Sequence, residues 1–383
     1  MAKRLSYGMV GGGQGAFIGA VHRVAAELDR RATLVAGALG IDPEVAYQSG
    51  IELGLDPARS YRTWPEMLKG ELARPANDRI DFVSIVTPNH VHYEIAMAFI
   101  EAGFHVVCEK PMVTTVEQGE ALVRAVQKHK VVFGVTYNYT GYPMVKRAAE
   151  LVKSGKLGQI RKVFVEYHQG WLATKLEATG QAQASWRVDP TKAGLGGAIG
   201  DIGSHAENLV STITGLEIES VCADLTAFVP GRALDDDAAV LLRLGGGAKG
   251  VLTASQVCVG EENNLSIRVY GTEGAIAWRQ ENPNELHFTP RSGSRAIITR
   301  GGPEAGEGAT RATRIPPGHP EGFYEAFANI YRGVCDAIVA SREGRTPTGL
   351  GAEFPDVVAG LRGVRFITRV VESARQGGVW TRI

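Results

Sequence analysis

The sequence predicts an α/β domain with a doubly wound parallel sheet, followed by an α+β domain with an open, largely antiparallel sheet. Over residues 1–136, apolar runs of strand length alternate with helical patterns, which is typical of a parallel sheet covered by helices. Beyond residue 136, apolar and polar residues alternate within strand-length segments, which favours antiparallel strands with one exposed face. Because 383 residues exceed what one core usually supports, we expect two domains, 1–136 and 137–383.

The first domain is predicted to be Rossmann-like, because each of its strands is a short apolar run followed by helix-start signals. Asp42 before Pro43 is an N-cap signal, and Gly103 is a helix stop. The predicted strands are Leu5–Val10, Thr33–Leu39, Phe82–Val86, His105–Cys108 and Val131–Val135. The predicted helices are Phe17–Leu28, one from Asp42, one from Thr63, Val91–Ala102, and one from Thr114 to Lys128.

The second domain is predicted to contain a helix, a set of strands and two closing helices. A loop is expected at 291–318, where Gly, Pro, Arg and Ser are frequent. The predicted strands are 160–169, Ala238–Leu244, Gly250–Gln256, Leu265–Tyr270 and Ala275–Arg279. The predicted helices are Met144–Lys153, Glu321–Ala340 and Asp356–Arg375.

Composition excludes several classes of partner. The 41 basic residues balance 41 acidic ones, so the chain lacks the basic field that nucleic acids and anionic membranes require. The four cysteines are scattered without ligand-like spacing, which indicates reduced thiols. The N-terminus lacks the apolar stretch of a signal peptide, and no run is long enough to span a membrane. We expect a soluble cytoplasmic protein with a small-molecule partner.

The first motif with chemical content is MVGGGQGAFIGAVHR, residues 9–23. A dinucleotide site needs glycines such as Gly11 and Gly13 where a strand turns into a helix, because the backbone must approach a pyrophosphate there. The third glycine position of the pattern holds Ala16, and Gly19 offers an alternative if the loop is longer. The motif therefore predicts a dinucleotide cofactor.

The end of the second strand bears on the choice between NAD and NADP. The position where an acid usually binds the ribose hydroxyls holds Gly40, and the nearest acid is Asp42. Asp42 is equally suited to capping the next helix. Since the loop has no basic residue for a 2′-phosphate, NAD is favoured and NADP is possible.

Two further motifs follow predicted parallel strands, at the edge where ligands bind in such sheets. Residues 83–96 contain Thr87, Pro88, Asn89 and His92, and residues 104–112 contain Glu109-Lys110-Pro111. Burying the charge of a lysine at the end of a strand costs free energy, so such a lysine is expected to be paired with an anion or to have a function. The alternatives are that Asn89 caps a helix while His92 faces solvent, and that Glu109 and Lys110 form a surface ion pair.

In GGAIGDIGSHAENL, residues 196–209, Asp201 and His205 lie four residues apart. On a helix this spacing places both side chains on one face. The pair could be part of a metal site, an acid–base pair, or two polar residues at the rim of a core helix. A zinc site would need a third ligand, which the cysteine pattern does not offer.

Taken together, these motifs resemble the glucose–fructose oxidoreductase, inositol dehydrogenase and rhizopine-catabolism (Gfo/Idh/MocA) family. The resemblance rests on the early G-x-G, VTPNHVH, AGFHVVCEKP and GDIGSH, in this order, and covers essentially the whole chain. NYTGYPM, HQGWLA, WRVDP and HPEGFYEAFANIY look like the branch that contains levoglucosan dehydrogenase and related sugar or cyclitol dehydrogenases. The glycine loop is longer than in the common family form, and Tyr137-Asn138-Tyr139 stand where many relatives carry an arginine.

The resemblance implies hydride transfer between nicotinamide and a secondary carbinol, and a homodimer or homotetramer formed through the open sheet. It implies a catalytic trio of Lys110, Asp201 and His205. The cofactor-binding candidates are Gly11, Gly13, Gln14, Phe17, Ile18, Gly40, Asp42, Thr87, Pro88, Asn89, His92, Glu109, Lys110, Asn138, Trp186 and Arg187. The substrate-binding candidates are Lys110, Asn138, Tyr139, Trp171, Arg187, Asp201, His205 and His319. The tryptophans could equally be core residues, and Arg187 could instead pair with Asp189.

The chemistry of the trio favours His205 as the proton acceptor. A histidine has a pKa of about 6.5, whereas a lysine acting at neutral pH would need its pKa lowered by about 3 units, or about 4 kcal/mol. Asp201 would then orient His205 or hold the substrate hydroxyl, and Lys110 would stabilise the reacting oxygen. The reversed assignment of His205 and Lys110 stays open.

Three other functions remain possible at this point. Within the family, a keto-sugar reductase or an NAD-dependent glycosidase or epimerase would use the same motifs. A zinc enzyme built on Asp201 and His205 is a second class, and a non-enzymatic NAD-binding sensor is a third.

Overall fold

The computed structural model of the protein describes residues 4–383. Its strands are β1 (Leu5–Val10), β2 (Ala32–Ala38), β3 (Phe82–Ile85), β4 (His105–Cys108), β5 (Phe133–Val135), β6 (Ile160–His168), β7 (Ile218–Thr226), β8 (Asp237–Leu244), β9 (Lys249–Ser255), β10 (Asn264–Gly271), β11 (Gly274–Arg279), β12 (Glu285–Pro290), β13 (Ala296–Thr299) and β14 (Thr381–Arg382).

The helices alternate with the early strands and cluster again near the end of the chain. They are α1 (Phe17–Leu28), α2 (Pro43–Glu52), α3 (Trp64–Ala73), α4 (His92–Glu101), α5 (Val116–His129), α6 (Pro143–Lys153), α7 (Ala182–Arg187), α8 (Pro190–Ala193), α9 (Ser204–Thr214), α10 (Glu307–Ala312), α11 (Phe323–Arg342) and α12 (Val357–Arg375). None of the helices within residues 4–383 combines the length and apolarity needed to cross a bilayer.

The first compact unit is built on a parallel sheet with the strand order β2-β1-β3-β4-β5. Among the described residues, the unit comprises 4–113, Glu117–Asn138 and Phe323–Leu361. Its strands are buried on both faces, as their continuous apolar runs predict. The order reverses direction beside β1, which is the arrangement that opens a ligand crevice at the carboxyl ends of the strands.

Helix α11 contributes to the core of this first unit although it follows the second unit's strands in sequence. Its Phe327, Tyr331 and Val334 are buried in the same cluster as Tyr7 of β1 and Phe82 of β3. Tyr7 and Phe82 stack with ring centroids 5.2 Å apart. The predicted domain boundary at 136 lies two residues before Asn138, where the second segment of this unit ends. The chain rejoins the same unit at Phe323–Leu361, which local sequence patterns do not reveal.

The second compact unit is built on one mixed sheet with the order β13-β12-β11-β10-β6-β9-β8-β7-β14. It comprises Thr114–Val116, Tyr139–Gly322 and Arg362–Ile383. All neighbouring strands are antiparallel except β6 and β9, which are parallel. From Ala238 to Leu244, the residues of β8 alternate between buried and exposed, so this strand has one covered face, as the sequence predicts. The predicted fold class is confirmed.

The predicted loop at 291–318 is wrong in part. Strand β13 lies within it and pairs with β12, and helix α10 follows. Carboxylate oxygens of Glu150 on α6 accept a hydrogen bond from the Gly308 backbone N–H and so tie α10 to α6. Both elements are too short for their own periodicity to predict them, and they form through contacts with distant residues.

A buried ion pair in the first unit gives a stability prediction. The Glu71 carboxylate accepts hydrogen bonds from Arg59 Nη2 at 2.6 Å, Tyr61 Oη at 3.1 Å and Ile80 N at 3.0 Å, and its side chain is fully buried. Replacing Glu71 with glutamine should lower the free energy of unfolding by about 3 kcal/mol, because the buried Arg59 cation loses its buried anion and keeps only the more distant and more exposed Asp78 carboxylate, at 3.8 Å.

Urea unfolding followed by circular dichroism measures this effect. Glu44→Gln is the control, because Glu44 pairs with Arg62 in an exposed position and should change stability far less. Equal effects of the two substitutions would contradict the prediction.

Candidate functional site

The glycine loop after β1 has the geometry of a phosphate-binding turn. Gly11 and Gly12 have φ of 81° and 77°, a conformation that favours glycine. A Cβ at Gly19 would lie 2.1 Å from the Gly12 carbonyl oxygen, so Gly19 lets α1 pack directly on the loop. Gly19, rather than Ala16, therefore fills the packing role of the third glycine.

The other side chains of this loop occupy distinct environments. Gln14 donates to the Glu52 carboxylate at 2.7 and 2.8 Å, and Phe17 is 67% exposed. Ile18 packs against the core. After β2, the Asp42 carboxylate accepts hydrogen bonds from Glu44 N and Val45 N at 3.0 Å. The capping role of Asp42 that the sequence left open is thus observed.

The predicted residues after β3, β4 and β5 lie along one edge of the parallel sheet. Thr87 follows β3, Lys110 follows β4 and Asn138 follows β5, and these strands are neighbours. Within residues 4–383, Thr87 Oγ1 and Asn138 Nδ2 are buried and have no hydrogen-bond partner. A Cβ at Gly11 would lie 2.9 Å from Thr87 Cγ2. Unsatisfied polar atoms beside a glycine turn fit a polar ligand such as a dinucleotide.

His92 is buried and does not face solvent. Its Nδ1 lies 3.0 Å from the Pro111 carbonyl oxygen and its Nε2 lies 2.8 Å from the Thr87 carbonyl oxygen. Burial lowers the pKa of His92, although the hydrogen bonds to the two carbonyls act to raise it. The imidazole joins the segments that follow β3 and β4, so the solvent-facing alternative is wrong.

Glu109 is also buried, at 8% exposure, and the surface ion pair with Lys110 is therefore wrong. Its Oε1 accepts hydrogen bonds from His22 Nε2 at 2.8 Å and from Thr136 Oγ1 at 2.5 Å. Its Oε2 accepts from the Lys110 backbone N–H at 3.1 Å. Burial by itself would raise the pKa of Glu109, but the His22 hydrogen bond and the Lys110 cation outweigh this effect and lower the pKa to about 2.

In the second unit, Asp201 lies in a π-turn, Ile199–Gly203, that leads into α9. Such turns interrupt helices frequently at functional sites. Asp201 Oδ2 accepts hydrogen bonds from Arg187 Nε at 3.0 Å and Gln256 Nε2 at 2.9 Å. A Cβ at Gly197 would lie 2.0 Å from the Asp235 carbonyl oxygen, so this glycine serves close backbone packing.

Arg187 joins Asp201 to the two tryptophans of the candidate set. Its guanidinium lies 4.3 Å from the Trp186 ring centroid and 5.7 Å from that of Trp171. Both indoles are half-buried, so neither is a fully enclosed core residue. The alternative pair with Asp189 is wrong, because Asp189 caps α8 and pairs with Lys192.

His205, on the first turn of α9, contacts two tyrosines. Its ring centroid lies 4.7 Å from that of Tyr139 and 6.2 Å from that of Tyr167. Tyr167 Oη donates to Asn263 Oδ1 at 2.7 Å, and Asn263 Nδ2 donates to Tyr139 Oη at 3.3 Å. The Tyr139 and Tyr167 hydroxyls lie 2.5 Å apart, so Tyr139 is the donor that completes a closed ring of hydrogen bonds. Burial holds the pKa of Tyr167 well above its usual value, and this phenol stays protonated.

Sequence reasoning missed several polar residues of this cluster. Gln169 Nε2 donates to Asn263 Oδ1 at 2.8 Å, and Gln169 Oε1 accepts from Trp171 Nε1 at 3.0 Å. Pairing of β6 with β10 brings these residues together. The amides of Gln169, Gln256 and Asn263 gave no local signal, because only strand pairing places them beside Tyr139 and Asp201.

His319 lies in an exposed loop and is held by that loop rather than by the cluster around Asp201. Its backbone N–H donates to the Pro316 carbonyl at 3.4 Å. Arg300, which is paired with buried Glu321, donates to the His319 and Pro316 carbonyls. No group of three or more His, Cys, Asp or Glu side chains that could hold a metal occurs within residues 4–383.

The segment that carries Asp201 is anchored by Asp235, which gives a pH prediction. The Asp235 carboxylate accepts from Gly197 N at 2.7 Å and Ile199 N at 2.8 Å. Burial raises the pKa of Asp235 from 3.8 to about 6, against these two hydrogen bonds. The folded chain therefore binds this proton more tightly than the unfolded chain does. The resulting stabilisation is complete below about pH 4 and is lost as the pH rises through about 6.

Asp235→Asn removes this titration. The free energy of unfolding of the wild type, minus that of the variant, should fall by about 2 kcal/mol between pH 4 and pH 7. Urea unfolding of both proteins across this range measures the difference. A difference that is constant or rises with pH would contradict the prediction.

The glycine turn at the edge of a parallel sheet defines a dinucleotide-binding protein, and the second unit adds a polar cluster around an imidazole. Residues 5–137 match the family model of the oxidoreductase family, NAD-binding Rossmann fold. Residues 145–277 match the model of the GFO/IDH/MocA C-terminal domain. The chain belongs to the Gfo/Idh/MocA family of oxidoreductases, and its first domain is an NAD-binding Rossmann domain.

Similar proteins support this assignment along the whole chain. An uncharacterised oxidoreductase of Bacillus subtilis is 36% identical over 99% of this chain and 97% of its own length. Levoglucosan dehydrogenase of Pseudarthrobacter phenanthrenivorans is 29% identical over 80% of this chain and 83% of its own. The crystal structure of an inositol dehydrogenase homologue from Azotobacter vinelandii, complexed with NAD⁺, superposes with a TM-score of 0.95 at 37% identity, covering 100% of this chain and 98% of that chain. The family predicted from the motifs is confirmed.

Proposed function

We propose that the protein is an NAD-dependent dehydrogenase that transfers a hydride from a secondary hydroxyl of a sugar, anhydrosugar, glycoside or cyclitol to the nicotinamide. The observation that carries the proposal is the cluster around His205, where an imidazole is surrounded by tyrosine hydroxyls and side-chain amides. Such groups suit a neutral substrate with many hydroxyls. Similar structures include an inositol dehydrogenase homologue with NADH and myo-inositol and levoglucosan dehydrogenase with NADH and levoglucosan.

The first unit would hold the cofactor through its glycine turn and the polar atoms that follow the strands. Gly11 and Gly13 would leave the turn open to the pyrophosphate, and Thr87 Oγ1 and Asn138 Nδ2 offer unsatisfied polar atoms. When bound, NAD supplies the nicotinamide carbon that accepts the hydride. Since the loop after β2 carries no basic side chain for a 2′-phosphate, we assign NAD rather than NADP.

We assign the removal of the hydroxyl proton to His205. Its imidazole is 6% exposed, which limits competing exchange with water. Asp201 would hold a substrate hydroxyl, and Arg187 and Gln256 fix the orientation of its carboxylate. Lys110 would stabilise negative charge as it develops on the reacting oxygen. The indoles of Trp171 and Trp186 provide the flat apolar surfaces on which sugar rings pack.

A substrate panel with spectroscopic detection of NADH tests the proposal. Purified protein and NAD⁺ are mixed with inositols, levoglucosan, aldoses and glycosides, and we expect NADH formation with at least one of them. The same panel with NADP⁺ measures the cofactor preference. Tight binding of NADH without oxidation of any of these compounds would contradict the proposal and favour a reductase or a glycosidase of the same family.

A further inference from the structure

The first unit contains a buried chain of polar side chains that the proposed reaction does not use directly. It runs from Ser84 on β3 through Tyr331 on α11 and His22 on α1 to Glu109 after β4. Ser84 Oγ and Tyr331 Oη lie 2.6 Å apart, Tyr331 Oη and His22 Nδ1 lie 2.6 Å apart, and His22 Nε2 and Glu109 Oε1 lie 2.8 Å apart. Four separate elements thus contribute to one hydrogen-bonded chain inside an apolar core.

The Glu109 end of this chain has a fixed hydrogen-bond direction. A carboxylate only accepts, so His22 Nε2 must donate to Glu109. Thr136 Oγ1 donates to the same carboxylate from the other side. Burial keeps the pKa of Tyr331 well above its usual value, so its phenol keeps its proton and lies within hydrogen-bond distance of both His22 Nδ1 and Ser84 Oγ. Two donors thus converge on the Glu109 carboxylate, and the rest of the chain holds the His22 ring.

Burying such a chain costs free energy unless every member is satisfied, and here it ends at the Glu109 carboxylate, next to Lys110. The Glu109 carboxylate accepts the Lys110 backbone N–H, so its orientation fixes the start of the segment that carries the lysine. The carboxylate is ionised at neutral pH, as its pKa of about 2 shows, and the Lys110 cation contributes to that shift. Glu109 is therefore an oriented anion next to the lysine of the candidate trio.

We propose that Ser84, Tyr331 and His22 are positioning residues that act through Glu109 to hold Lys110 in its working conformation. The inference rests on the proposed function, because it assigns these residues to the reaction in which Lys110 takes part. Ser84, Tyr331 and His22 are all fully buried, so in this proposal they serve Lys110 without contact with a substrate.

The chain provides a matched pair of variants. Tyr331→Phe removes one hydroxyl from the chain and keeps the ring that packs near His22 and Phe82. Tyr7→Phe is the control, because Tyr7 is buried in the same core and its hydroxyl has no hydrogen-bond partner among residues 4–383. Ser84→Ala is a second test variant at the far end of the chain, should Tyr331→Phe prove unstable.

The first measurement does not depend on any enzymatic activity. The rate at which a small acylating reagent modifies the Lys110 amine is followed by peptide mass spectrometry, with exposed Lys128 as internal reference. Tyr331→Phe should change the Lys110 rate by several-fold relative to Lys128, because the segment is held less firmly. Tyr7→Phe should leave the ratio unchanged. An unchanged ratio in both Tyr331→Phe and Ser84→Ala would overturn the proposal.

The second measurement is a double-mutant cycle on substrate oxidation. Tyr331→Phe should lower kcat about tenfold in the wild-type background and have no further effect in the Lys110→Met background. Additive losses would indicate a general structural defect and would overturn the proposal. If no compound is oxidised by the wild type, the proposed function fails, and the labelling ratio alone decides whether the chain positions Lys110.

Discussion

Replacing His205 with alanine should lower kcat for substrate oxidation by about 10²- to 10⁴-fold, the usual contribution of a positioned general base. The imidazole lies against Tyr139 at 4.7 Å between ring centroids, and α9 fixes its backbone. Without it, the hydroxyl proton loses its proposed acceptor. NADH should still bind, because the glycine turn belongs to the other compact unit.

Stopped-flow or steady-state oxidation rates and NADH fluorescence titration measure the two effects separately. His287→Ala is the control, since His287 is a partly exposed residue of β12 and lies outside the proposed site. Near-wild-type turnover of His205→Ala would show that another group accepts the proton. Loss of NADH binding would show that the substitution has a wider structural effect.

The parallel sheet of the first unit could be predicted because its strands are continuous apolar runs between strong helix signals. Each strand needs only its own sequence to be recognised, and the βα alternation then restricts the topology. The place of α11 in the same core could not be predicted this way. Its buried face is apolar and periodic, but periodicity does not reveal which sheet a helix packs against.

The candidate site shows the same division between local and long-range information. Local motifs, whose residue spacing indicates a function, could be recognised for Gly11, Gly13, Glu109 and Lys110. His22 and Asn263 stand in no motif and reach their partners through tertiary packing and strand pairing. A weak signal for His22 existed, since it is a polar residue on the buried side of an otherwise apolar helix face. A polar group in that position has to find a partner.

The proposed mechanism gives Lys110 and His205 different roles in the reaction. A cation can stabilise an oxyanion, whereas the group that removes the hydroxyl proton has to be able to take up a proton. The two roles make different demands on a replacement side chain.

Replacing Lys110 with methionine should lower kcat by about 10²- to 10³-fold, because the positive charge that stabilises the developing oxyanion is lost. Lys128→Met, on the exposed side of α5, is the matched control and should have no effect on kcat. Steady-state kinetics with the best substrate of the panel measures both.

Lys110→Arg then separates the two roles that this residue could have. Arginine keeps the charge but does not lose a proton at any pH relevant to proteins. If Lys110 acts by its charge, Lys110→Arg should recover part of the activity that Lys110→Met loses, reduced by the different shape of the guanidinium. If Lys110 is the base, both variants should be equally inactive, and the assignment of the proton to His205 would have to be reversed.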